Sequence, residues 1–291
     1  GKIMVELPLD EDGNKIVRIG HSPDPDDAFM FHAMTTNAFP TPGYNFVHEL
    51  QDIETLNHRA MNQDLEVSAV SIHAYPDIAD HYALMNCGAS MGEGYGPMIV
   101  CKEGVSEDEA RNNVIAVPGL KTSAYLGLRL AWGDCEVAVV PFDEIIPRIL
   151  DGTYLSGLII HEGQLTYVDH DLNVLIDLGK WWNARTNNWP MPLGGNVVRR
   201  DLGEEVMQDI TKYTKMSIEP SNSPKHGAVE SMTIPTVSSL ACTSTTEPSI
   251  TRRKVEHPSV SSSPRDNPLA SFGMISIPTP CVLSENPEGC S

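Results

Sequence analysis

The chain has 291 residues, enough for two domains that each bury a core. Its 20 basic and 39 acidic residues leave a formal charge of −19, which argues against a nucleic-acid partner, because such a partner calls for basic patches. No window approaches the roughly 20 consecutive apolar residues of a membrane helix, and residues 1–8 lack the apolar run of a signal peptide, so a cytoplasmic protein without membrane insertion is expected.

Residues 16–20 predict a first strand. Two prolines follow in Ser22-Pro23-Asp24-Pro25-Asp26-Asp27, so the next helix is expected to start late, capped by Asp26 or Asp27, and to run to about Asn37. Three carboxylates in that turn do not have the ligand number or spacing of a calcium loop. Residues 46–50 predict a second strand. Asp52 then caps a helix with Ile53, Leu56 and Ala60 at helical spacing. Residues 66–71 form a third strand, leading to a helical segment whose Asp77 and His81 read as a solvated face before a metal pair. Gly92, Gly94 and Gly96 precede an apolar run, and their GxGxG spacing is not a dinucleotide fingerprint.

The polar stretch 102–113 suits a crossover into a second domain. Residues 114–117 are strand-like and run into a Pro118-Gly119 turn, where Thr122 or Ser123 caps a helix. The free N–H groups of that helix start, with Lys121 beside them, form a candidate anion site; an ordinary capped helix is the alternative. A strand at 136–140 and a helix at 142–150 follow. Next comes the short apolar run Leu158, Ile159, Ile160, which reads as a buried strand and ends abruptly in His161-Glu162-Gly163. Ligands of parallel α/β sheets bind beyond the carboxyl ends of strands, and histidine is suited to moving protons near neutral pH. The competing reading of His161 is a hydrogen-bonded residue closing a strand. Residues 174–178 are apolar, and 197–200 add a strand that crosses back to the first domain. The alternation predicts an α/β fold with mostly parallel sheets. None of the six cysteines forms a CxxC pair, so neither a zinc site nor a redox motif is expected.

Four motifs then stand in order: Ser22-Pro23-x-Pro25-x-Asp27-x-Phe29-x-Phe31, Asp52-Ile53-Glu54-Thr55-Leu56-Asn57, Pro118-Gly119-x-x-Thr122-x-Ala124-Tyr125, and Leu158-Ile159-Ile160-His161-Glu162. They continue with Asp177-Leu178-Gly179-x-Trp181-Trp182, Pro192-Leu193-Gly194 and Arg199-Arg200-Asp201-Leu202-Gly203. Over roughly residues 16–218 this set resembles the 1,4-dihydroxy-6-naphthoate synthases of the futalosine route to menaquinone. The resemblance implies a two-lobed fold like that of type 2 periplasmic binding proteins, with the ligand between lobes. It implies a lyase that cleaves cyclic dehypoxanthinyl futalosine without a cofactor or metal, with His161 as general base. It also implies a small carboxylated substrate held by Thr122 and Ser123, with Asn57 and Ser71 facing it from the first lobe, and Asp27 and Ile160 beside it. Asp26 and Ala28 stand where the family commonly reads asparagine and threonine. Rival readings are a non-enzymatic binding protein for a small carboxylated aromatic solute and an enzyme like chorismate dehydratase, which the Leu-Ile-Ile-His-Glu motif disfavours.

The expected organisation is a first lobe over residues 15–102, rejoined by 200–219, and a second lobe over 103–199. Residues 220–291 are rich in serine and proline and hold three of the six cysteines without a lasting period. That tail is expected to be disordered, or read out of frame relative to the helical ending of the family.

Overall fold

A computed structural model of the chain describes residues 4–161 and 163–219 and the backbone of residues 273–275. The chain opens with β1 (Lys15–His21), α1 (Pro25–Thr35), β2 (Tyr44–Leu50), α2 (Ile53–Met61), β3 (Val67–Ser71), the single turn α3 (Tyr75–Ile78) and β4 (Tyr82–Gly92). It then passes to a second sheet through β5 (Met98–Cys101), α4 (Glu107–Arg111), β6 (Ile115–Val117), α5 (Ser123–Trp132) and β7 (Val137–Val139). A 3-10 turn at Phe142–Glu144 runs into α6 (Ile145–Leu150), followed by β8 (Ser156–Ile159), α7 (Gly163–Thr166), β9 (Asn173–Asp177) and α8 (Leu178–Arg185). The long β10 (Met191–Arg199) returns to the first sheet, α9 (Glu204–Ile218) covers it, and β11 (Gly273–Ile275) lies at its edge.

The strand orders are β11-β4-β10-β3-β1-β2 in the first lobe and β7-β6-β8-β5-β9 in the second. Each sheet is mixed, not mostly parallel. β1 runs parallel to β2 and β3, and β6 parallel to β7 and β8. The strands next to the crossings run the other way, β10 against β3 and β4, and β5 against β8 and β9.

Two apolar cores hold the lobes. In the first, Val17, Ile19 and Val67 meet Met30 and Phe31 of α1 and Ile210 and Tyr213 of α9. In the second, Ile99, Ile115 and Leu158 meet Leu128 and Trp132 of α5 on one face. Ile145 and Ile149 of α6 cover the other, against Val100, Ala116 and Ile159. Full burial of each such side chain contributes about 1.5–3 kcal/mol.

Three expectations are corrected. The helix after β1 starts at Pro25, because proline suits the first helical position, so its N-cap is Asp24, with Asp26 and Asp27 in the first turn. The chain crosses between lobes before Met98, and β10 already belongs to the first sheet, so the boundaries at 102/103 and 199/200 come too late at both crossings. Polar residues 102–113 are instead the surface turn and short helix of the second lobe. Finally, the helix bearing Asp77 stops at Ile78, short of His81, and Asp77 pairs with Lys121 of the other lobe at 2.7 Å. The expectation for residues 220–291 falls outside the described residues, apart from β11, whose backbone pairs with β4. Among the described residues, no helix is long and apolar enough to cross a membrane.

Candidate active site

The carboxyl ends of β1, β3, β6 and β8 converge on a cleft between the lobes. Ser22 and Asp24 follow β1, Ser71 ends β3, Thr122 and Ser123 follow β6, and Ile160 and His161 follow β8; all line it. Tyr95 and Pro97 of the first crossing and Leu193 to Gly195 of β10 close the remaining wall.

His161 adopts φ +53°, the left-handed region that non-glycine residues enter at a cost. Its surroundings hold it there. Imidazole Nδ1 lies 2.8 Å from Asp24 Oδ2 across the cleft, and the ring meets Phe142 edge to face at 5.5 Å. The Gln164 amide fits with its oxygen accepting from the His161 N–H at 3.2 Å and its nitrogen donating to the Gly96 carbonyl at 3.0 Å. The strand-end position thus carries a ring that faces the cleft, and it is not sealed in a core.

Asp24 is buried, and its Oδ2 also accepts the Ser22 hydroxyl at 2.5 Å. Burial pushes its carboxyl upward, but the hydrogen bond and charge of His161 and the Ser22 hydroxyl outweigh that and hold it below the ordinary carboxylate value. Asp27 behaves in the opposite way. Burial, then the charge of neighbouring Asp26, push it up to about 7 against the Ser22 N–H it accepts at 2.7 Å. Behind this loop, His21 Nε2 and His48 Nδ1 share a hydrogen bond at 3.1 Å, and burial lowers both, His48 to about 4.

These groups give opposite pH slopes. The histidine pair is depressed when folded, so its stabilisation is present above its unfolded pKa and is lost as pH falls towards 4. Asp27 is raised when folded, so its contribution is present below the unfolded carboxylate value and is lost as pH rises through 7. Asp27→Asn retains an acceptor for the Ser22 N–H and removes the buried charge. It is expected to stabilise the protein at pH 8 by on the order of 3 kcal/mol, with little gain near pH 4. Urea midpoints across that range test this; equal midpoints at pH 8 would contradict it.

The other expected site residues divide. Ser71 and Ile160 are at the cleft surface. Asn57 is not: it is fully buried behind Ser71, donating to its hydroxyl at 3.0 Å and accepting its N–H at 2.8 Å, so it positions that residue. Thr122 and Ser123 line the cleft, but both hydroxyls are engaged. Thr122 Oγ1 caps α5 by accepting from the Tyr125 N–H at 3.1 Å and donates to the Gly119 carbonyl at 2.8 Å. Ser123 Oγ donates to the Leu193 carbonyl at 2.6 Å and accepts from the His73 N–H at 3.3 Å. The donors left at this helix start are backbone N–H groups at the first two positions, Ser123 and Ala124. Among the lining residues that the sequence did not assign to the site are Asp24, Tyr95 and Gln164. Asp24 stood in a quoted motif as an unspecified position.

The lobes also meet beside the cleft. Both Glu54 carboxylate oxygens accept the Lys121 N–H at 3.2 Å, and His73 Nδ1 lies 3.1 Å from the Thr122 carbonyl. At the crossing, Gly96 and Gly179 touch so closely that a Cβ on Gly96 would fall 2.7 Å from the Gly179 nitrogen. The Leu178 N–H donates to the Pro97 carbonyl there at 2.9 Å.

The chain matches known proteins over this two-lobed region. The model of a family described as "Menaquinone biosynthesis" matches residues 17–233. A 1,4-dihydroxy-6-naphthoate synthase of Thermus thermophilus is 35% identical over 202 residues, 69% of this chain and 73% of that protein. The enzyme of the same name from Streptomyces coelicolor is 34% identical over 209 residues, covering 69% and 72%. Among solved structures, one of an Archaeoglobus fulgidus protein aligns with a TM-score of 0.65 at 44% identity, over 69% of this chain and 75% of that one. An alkanesulfonate-binding protein of Xanthomonas axonopodis aligns with a TM-score of 0.55 at 9% identity, over 70% and 71%, which establishes the periplasmic-binding-protein-like fold alone. With its cleft built from the quoted motifs and two synthases matched over more than two thirds of their length, the chain belongs to the menaquinone-biosynthesis family and is similar to its 1,4-dihydroxy-6-naphthoate synthases.

Proposed function

We propose that the cleft cleaves cyclic dehypoxanthinyl futalosine to 1,4-dihydroxy-6-naphthoate and a three-carbon ketose fragment, as a lyase that uses no cofactor. The observation that carries the reading is His161, held at the end of β8 with its ring in the cleft and Nδ1 against a carboxylate. With Nδ1 so committed, Nε2 is the nitrogen that exchanges a proton with substrate. It takes a hydroxyl proton from the sugar-derived ring; the alkoxide becomes a carbonyl as the carbon–carbon bond breaks, the electron pair of that bond passes into the ring that becomes the aromatic naphthoate, and the imidazolium returns the proton. A positioned base of this kind contributes about 10²–10⁴-fold in rate. The substrate carboxylate sits at the start of α5, where the N–H groups of Ser123 and Ala124 and the helix dipole favour an anion. Thr122 and Ser123 serve it by fixing that helix end against β10 and the first lobe, since their hydroxyls bond within the protein.

Incubation with cyclic dehypoxanthinyl futalosine, followed by mass analysis, tests the reading. Time-dependent appearance of the naphthoate is the expected result. Saturable binding with no product would instead favour a solute-binding protein on the same scaffold.

A further inference from the structure

The carboxylate beside His161 comes from the other lobe. Asp24 lies in the loop between β1 and α1 of the first lobe, and His161 follows β8 of the second. The two meet at 2.8 Å only because the lobes are together. We propose that Asp24 is the positioning residue of the His161 base, so that lobe closure itself completes the base and lobe opening dismantles it. The inference rests on the reading of His161 as the base.

Three observations carry it. First, Asp24 occupies the N-cap of α1 yet makes no capping bond, although aspartate is among the best caps and a missing cap costs about 0.5–2 kcal/mol. Its carboxylate is turned to the cleft instead. A local rule set aside at one residue marks a demand from elsewhere in the fold. Second, the carboxylate is itself held. Its Oδ2 accepts both the Ser22 hydroxyl and the His161 ring, and the Asp24 N–H donates to Ser22 Oγ at 3.2 Å. Third, the His161 ring meets Phe142 of its own lobe edge to face and Asp24 of the other lobe through Nδ1, on a backbone held in the left-handed region. When the lobes part, the Phe142 contact remains and the Asp24 bond is lost. Nδ1–H pointing at a buried carboxylate fixes the tautomer in which Nε2 can accept a proton, and it stabilises the imidazolium that forms. An open cleft therefore presents a poorly oriented, weaker base to water, and a closed one presents the competent base to bound substrate.

Among the described residues, the ionisable groups lining the cleft with His161 are Asp24, Asp26, Asp27 and Tyr95. The test compares wild type, Asp24→Asn and His161→Ala on cyclic dehypoxanthinyl futalosine from pH 5 to 9, with naphthoate binding measured alongside. Asp24→Asn is expected to lower kcat by about 10²–10⁴-fold while naphthoate affinity stays within about threefold. It is also expected to move the acidic limb of the residual kcat/KM profile to lower pH, because removing a carboxylate beside an imidazole disfavours its protonated form. A merely structural role would lower both parameters through misfolding and leave that limb in place. Asp24→Glu, which restores the charge, is expected to recover the limb position in part. If Asp24→Asn turns over normally while His161→Ala is dead, the base reading stands and the positioning role is overturned. If His161→Ala stays active, the base reading fails and takes the positioning role with it.

Discussion

His161→Ala is expected to lose turnover of cyclic dehypoxanthinyl futalosine by about 10²–10⁴-fold while naphthoate binding stays close to wild type and stability falls by about 1–3 kcal/mol, the cost of leaving the buried Asp24 carboxylate without this partner. The ring stands at the cleft surface and not in either core: its side chain is 26% exposed, it meets Phe142 edge to face, and its Nδ1 lies 2.8 Å from Asp24 Oδ2. His161→Asn is the sharper variant. Asparagine tolerates the left-handed backbone better than most residues, so the β8–α7 turn keeps its shape while the side chain can no longer take a proton at neutral pH. Asp24 would then be left buried without its imidazole, which the Asn amide can partly replace as a donor. A steady-state assay and a thermal melt on the same preparation check the prediction; near-normal turnover in either variant sinks the assignment.

The second large effect lies away from the chemistry. A Cβ on Gly179 would collide with the carbonyl carbon and oxygen of Tyr95 and the nitrogen of Gly96. These are backbone atoms of the first crossing and cannot be moved as a side-chain tip can. Gly179→Ala is therefore expected to destabilise the fold by about 3 kcal/mol or more, at the upper end of overpacking costs. It would also push Tyr95 out of the cleft wall and displace the Gly96 carbonyl that accepts from the Gln164 amide. The expected readout is a lower urea midpoint, and a lower kcat even under conditions where the variant is fully folded. A midpoint unchanged from wild type would show that the crossing can yield.

The strands of both lobes were legible because their apolar runs are short and end in turn residues, as at 158–160 before His161. The cap of α2 was legible for a similar reason: Asp52 accepts from the Thr55 N–H at 3.0 Å, a bond made within four residues. What escaped was set by distance along the chain. β4 is the longest strand, yet its Tyr-Ala-Leu-Met-Asn-Cys-Gly-Ala-Ser-Met-Gly alternates poorly and its pairing with β10 is broken by irregularities, so no local period announced it. Asp24 read as one residue of a proline turn because its partner belongs to another lobe. Thr122 and Ser123 were placed at the right helix start, but what their hydroxyls bond depends on Gly119, Leu193 and His73, and two of those lie on other elements. Asn57 was assigned to the ligand and belongs to the layer behind it, a difference of one side-chain length that sequence does not encode locally.

The position of β10 has a consequence for the order in which the molecule can be assembled. In the first sheet it lies between β3 and β4, which do not pair with each other, and it is synthesised after every strand of the second sheet. A nascent chain can therefore complete the contiguous second lobe from β5 to α8 while the first lobe still has an open seam, with two unpaired strand edges facing each other. Strand insertion at that seam joins residues far apart in sequence, the slow class of folding event, and leaves those edges exposed to other chains until it occurs. The seam is closed by the same strand whose residues Leu193 to Gly195 line the cleft. Maturation of the active site and closure of the first sheet are thus one event on the ribosome's clock.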